Sequence, residues 1–131
     1  MLKRSAIAFI TMLLLLAPAT FAPAREGKGR PERLIAGAWV KVNPRGGVDT
    51  LDFHPDGRFE LILENGAVKE VFGHYTATRR KIVINADGGR NHCMKTGIYT
   101  FDFAGRELRI SRHDDPCPGR DRILIGVWKR R

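Results

Sequence analysis

Serine is almost missing from this chain: after Ser5 the only other one is Ser111. No G-x-S-x-G surrounds it, which removes the strained nucleophile elbow that a serine hydrolase needs. Cysteine is nearly as scarce. Cys93 and Cys117 stand alone, without the paired C-x-x-C spacing of a structural zinc site. Long apolar runs are also lacking, and the one that exists, Ala6 to Leu16, is too short to span a bilayer permanently. No stretch makes a persuasive helix by apolar period. There is no RNA-binding signature, and no polybasic block denser than Arg79-Arg80-Lys81, so nucleic acid is disfavoured as a partner.

What is present begins with an export signal. Lys3-Arg4, the apolar run, and Ala17-Pro18-Ala19-Thr20-Phe21-Ala22-Pro23-Ala24 read as a secretory signal peptide over residues 1–24, with cleavage expected after Ala24. Residues 25–32 are charged and hold no large apolar side chain, so they read as a flexible basic leader. Residues 33–131 are then one domain, with no transmembrane segment in the mature form. Export to a periplasm or beyond the cell places the two cysteines in an oxidising compartment, where Cys93 and Cys117 are expected to pair. That bond closes a loop of about 25 residues, worth about 3.5 kcal/mol in the chain-entropy model. The competing reading is a metal held by His92-Cys93 and His113-x-x-x-Cys117. Without Lys3 and Arg4 the 23 Lys and Arg fall to 21 against 14 Asp and Glu. This excess favours anionic partners such as an envelope component, or is simply a solvated basic surface.

The rest of the chain alternates. Tyr99, Phe101 and Phe103 oppose Ile98, Thr100 and Asp102, and Leu108 and Ile110 oppose Arg109 and Ser111, across the short turn Ala104-Gly105-Arg106. Such a pattern makes an antiparallel hairpin with one buried face. Earlier strands are expected over 37–42, 48–53, 58–63, 68–77 and 81–85, with a bend or bulge at Gly73. His54-Pro55-Asp56-Gly57 has the composition of a type I turn. Asp87 to Arg90 and His113 to Asp121 read as loops, and 123–129 as the last strand. Eight short strands joined mostly by tight turns are expected to form an all-β, antiparallel up-and-down barrel, which removes exposed sheet edges.

On these residues the chain resembles the secreted lipocalin-like proteins of bacteria, within the calycin group of small barrels. The resemblance is carried by Gly37-Ala38-Trp39, Phe53-His54-Pro55-Asp56-Gly57-Arg58-Phe59, Gly73-His74-Tyr75, Cys93, Tyr99, Phe101, Leu108, Asp115-Pro116-Cys117, Arg120, Leu124 and Trp128. It implies a small apolar or amphipathic ligand inside the barrel and a cation-π lid in which an arginine near the chain's end covers Trp39. Arg120, Arg122 or Arg130 can supply that cation. A second Gly-x-Trp, Gly126 to Trp128, leaves open which end carries the lid.

Eight strands enclose an interior that is either filled by side chains or holds one small ligand. Trp39, Phe53, Phe59, Tyr75, Tyr99, Phe101 and Phe103 are the candidate lumen residues. For catalysis the inventory is thin, and the protein is read as non-enzymatic. Asp114, Asp115 and Asp121 crowd one loop, where capping and pairing with Arg120 or Arg122 outweigh acid–base work or a hard-cation site. No cofactor and no metal are implied. The leading expectation is a hydrophobic ligand in the lumen; the alternative is an outer basic surface on a packed barrel that meets an anionic macromolecule.

Overall fold

The computed structural model describes residues 34–91 and 93–131. The expected signal peptide, the leader 25–32, Arg33 and His92 lie outside them. Eight strands close into an up-and-down barrel, each hydrogen-bonded to its sequence neighbours and the last to the first. They are β1 (Gly37–Val42), β2 (Val48–Phe53), β3 (Arg58–Leu63), β4 (Val68–Ala77), β5 (Lys81–Gly88), β6 (Gly97–Ala104), β7 (Glu107–Asp114) and β8 (Gly126–Arg130). All pairs are antiparallel. Alternation does what it predicts. In β2, Asp49, Leu51 and Phe53 face in, and in β3 Phe59, Leu61 and Leu63 meet them. The register shifts between Phe72 and Gly73, where a bulge was expected.

The inward side chains form one contiguous core that includes Trp39, Leu51, Phe59, Ile82, Tyr99, Leu108 and Trp128. The Cys93–Cys117 disulfide is present, with Cα atoms 5.7 Å apart, and it joins the loop after β5 to the loop after β7. Such a bond suits an oxidising compartment.

Three expectations need correction. β5 and β7 run to Gly88 and Asp114, so part of each expected loop is strand. The segment expected to open the last strand is instead a short helix, α1 (Arg120–Leu124). Its two buried residues, Arg120 and Leu124, stand one turn apart and pack inward. β8 begins only at Gly126, where it pairs with Ile110. Phe103 has the parity of an inward residue but sits beyond the filled part of the barrel, 41% exposed at the rim. Its ring leans on Trp39 at 6.1 Å and on Phe101 at 5.8 Å.

Candidate functional site

Of the lumen candidates, Trp39, Phe53, Phe59, Tyr75, Tyr99 and Phe101 are buried together. Phe53 and Tyr75 meet edge to face at 4.8 Å. The Tyr75 hydroxyl donates to the carbonyl of His54 at 2.8 Å and is anchored at the first hairpin.

The lid over Trp39 is Arg130, whose guanidinium carbon lies 3.9 Å from the ring centroid. Arg120 and Arg122 do not fill that role, because α1 and its neighbours lie at the opposite end of the barrel. A matching lid exists there. Lys41 Nζ stands 4.4 Å from the centroid of the Trp128 ring. The match extends to the hydrogen bonds of both indoles and both cations. The Trp39 indole N–H donates to the carbonyl four residues back, Ile35 O, at 2.7 Å; that of Trp128 donates to Leu124 O at 2.9 Å. Arg130 donates to Ala36 O and to Leu34 O, three and five residues before Trp39. Lys41 donates to Ile125 O at 3.0 Å and to Ile123 O, three and five residues before Trp128. Each cation stands two residues after the tryptophan of its own strand and covers the tryptophan of the other.

The register explains this reciprocity. Trp39 faces Arg130 and Val40 faces Lys129 across the β1–β8 seam. A two-fold axis between Val40 and Lys129 therefore exchanges the segments LIAGAWVK (34–41) and ILIGVWKR (123–130). Gly37 and Gly126 open the two strands with φ of +117° and +121°, a region that penalises other residues. A Cβ at Gly37 would also stand 2.6 Å from the Arg130 guanidinium. Burial lowers the pKa of Lys41 from the ordinary lysine range, with the Asp49 carboxylate opposing that shift.

Behind the Trp128 end lies a buried polar cluster. Arg120 and Asp115 pair at 2.7 Å with both side chains fully inaccessible, and Tyr99 donates its hydroxyl to the same carboxylate. Arg120 Nη2 also donates to Lys95 O at 2.7 Å, and the Cys117 N–H donates to Asp115 Oδ1 at 2.8 Å. Burial works against ionising Asp115, but the bonds from Arg120, Tyr99 and Cys117 outweigh it and hold the carboxyl below its usual range. Burial, then the bond to Asp115, pushes the Tyr99 phenol up, so it stays a donor. A side chain at Gly97 would stand 2.7 Å from Arg120, so only glycine admits the guanidinium. The expected pairing of the acidic loop is realised by Asp115; Asp121 instead lies 3.7 Å from Arg112. Among the described residues no three His, Cys, Asp or Glu side chains are placed to hold a metal ion.

A cavity of about 860 Å³ opens at the Trp128 end, where Lys41, Asp49, Leu63 and Ile123 meet Arg45, Arg90 and Arg122. Asp49 accepts from Asn43 Nδ2 at 3.0 Å, which ties the β1–β2 turn to the cavity. Arg90 is paired with Glu70 at 2.8 Å. Arg45 and Arg122 have no ion pair among the described residues. The Tyr99–Asp115–Arg120 cluster does not line this cup, and neither does any lumen candidate. Sequence reasoning missed Lys41 and Arg45. For Lys41 a signal existed, since Gly-x-Trp-x-Lys at 37–41 parallels Gly-x-Trp-x-Arg at 126–130; for Arg45, in a turn, there was none.

No family model, curated protein or solved structure matches the chain.

Proposed function

We propose that this chain is an exported, non-enzymatic binding protein, lipocalin-like in architecture, that takes a small anionic amphiphile in the cup at the Trp128 end rather than inside the barrel. The observation that carries this reading is the cup itself, with Arg45 and Arg122 unpaired among the described residues beside the apolar Leu63 and Ile123. Guanidinium groups bind carboxylate or phosphate through paired donors, and an apolar wall beside them accepts a hydrocarbon tail. The burial of Trp39, Phe59, Tyr99 and Trp128 in one core supports a site outside the lumen. The signal-like residues 1–24 and the cystine support export, and the Arg130 lid over Trp39 supports the calycin comparison.

Titration calorimetry with decanoate and decyl phosphate tests the reading. Saturable binding is expected, weakened about tenfold or more in the Arg45→Gln, Arg122→Gln double variant, the equivalent of about 1.4 kcal/mol. Binding that the double variant leaves unchanged, or an adduct seen by native mass spectrometry that survives it, would assign the ligand elsewhere.

A further inference from the structure

The rim at the Trp39 end carries a separate arrangement. Leu34 is 53% exposed and Phe103 is 41% exposed, both large apolar side chains beside a closed barrel end. With Phe101 they line a groove of about 590 Å³ whose other walls include Arg79, Arg80 and Arg109. None of these arginines has an ion pair among the described residues, and Asp102 is the acidic residue in the lining. The aromatic part is rigidly backed, because Phe103 rests on Trp39 and Phe101. The turn that carries Arg79 and Arg80 is tied to it: the Phe101 N–H donates to Arg80 O at 2.9 Å, so the β4–β5 turn is held against β6. Immediately before Leu34 the sequence adds Arg25, Lys28, Arg30 and Arg33 against Glu26 and Glu32.

Apolar side chains that protrude at one end of a protein, ringed by guanidinium groups, match the chemistry of a bilayer interface. Leu34 and the Phe103 ring enter the boundary of the acyl layer while the arginines meet phosphates. We infer that the rim formed by Leu34, Phe103, Arg79, Arg80 and Arg109 docks this protein onto an anionic phospholipid bilayer. A soluble acidic partner would meet the arginines, but it offers no acyl layer for Leu34 and Phe103. The docked orientation points the opposite end, with its cup, away from the lipid.

Co-sedimentation of the purified protein with vesicles tests this inference, using phosphatidylcholine alone and phosphatidylcholine mixed with phosphatidylglycerol. Retention is expected on the mixed vesicles only, and it should fall as salt rises. Arg79→Gln with Arg80→Gln should weaken it about tenfold to thirtyfold, from about one charge's worth of surface attraction per arginine. Phe103→Ser should weaken it about tenfold, and its melting temperature reports whether the rim is still folded. The arginine pair, exposed in a turn, gives an independent reading if Phe103→Ser does not fold. Lys95→Gln, a charge removed at the far end, should bind like the parent. No retention on mixed vesicles overturns the inference. Equal retention on neutral ones does so too, as does parental binding by the folded arginine variant.

Discussion

Trp39 and Trp128 occupy equivalent places on either side of one two-fold seam, yet what stands behind each differs. At the Trp39 end the chain ahead of β1 is held by Arg130 on Ala36 and Leu34 and by the burial of Ile35. At the Trp128 end the same lid is backed by α1, by a cystine and by the Tyr99–Asp115–Arg120 cluster. The difference follows from loop length. The turns at the Trp39 end, 54–57, 78–80 and 105–106, are all tight, whereas the other end holds 89–96 and 115–125 beside the shorter 43–47 and 64–67. Closing longer loops costs more chain entropy, and the covalent and ionic ties offset that cost where it arises. One end is thus sealed by the segment ahead of β1 and presents Leu34 and Phe103; the other is braced and presents a polar cup.

The sharpest way to break this asymmetry is to remove its ionic brace. Arg120→Ala leaves Asp115 buried without its partner and should cost about 3 to 5 kcal/mol in urea denaturation. A loss below about 1 kcal/mol would mean that the pair is not buried as described. The same pair fixes the pH response. A carboxyl held low in the folded state adds stability that is present above its unfolded pKa, near 4, and disappears as pH falls through the lower folded value. Acid melts of the parent should therefore steepen below about pH 4, and Asp115→Asn should flatten that limb. Identical acid limbs would remove Asp115 from the account.

Much of the barrel was readable before any coordinates, and the reasons are local. β1 to β4 match their expected ends because alternation is bounded on each side by turn formers, as at Asn43 to Gly47 and His54 to Gly57. Ile123-Leu124-Ile125 was read as strand because a short apolar run fits strand or helix equally; tertiary ties at Arg120 and Cys117 decide it. Parity points Phe103 into the lumen, since it reports which face a side chain takes and not how far along the barrel it lies. The lid at the Trp128 end is not legible from arginines near the chain's end, because its cation is a lysine on β1. The cup is built from turn residues far apart in sequence, so no periodicity marks it.

The smallest effects test the equivalence of the two lids. Arg130→Met and Lys41→Met each remove one cation over an indole and its bonds to two carbonyls, and each should cost about 1 to 2 kcal/mol. Costs that agree within about 0.5 kcal/mol support the two-fold relation, which lies near the limit at which independent sites can be compared. A lysine variant without effect would leave Arg130 as the sole working lid.

A barrel filled from one tryptophan to the other is what places the ligand outside the lumen. A crystal structure of protein purified from its own host, with the crystals pressurised under xenon, measures this directly. No xenon and no co-purified density is predicted between Trp39 and Trp128, because Phe53, Phe59, Tyr75 and Tyr99 occupy that space. Xenon or a bound hydrocarbon among those rings would contradict it and return the ligand to the lumen.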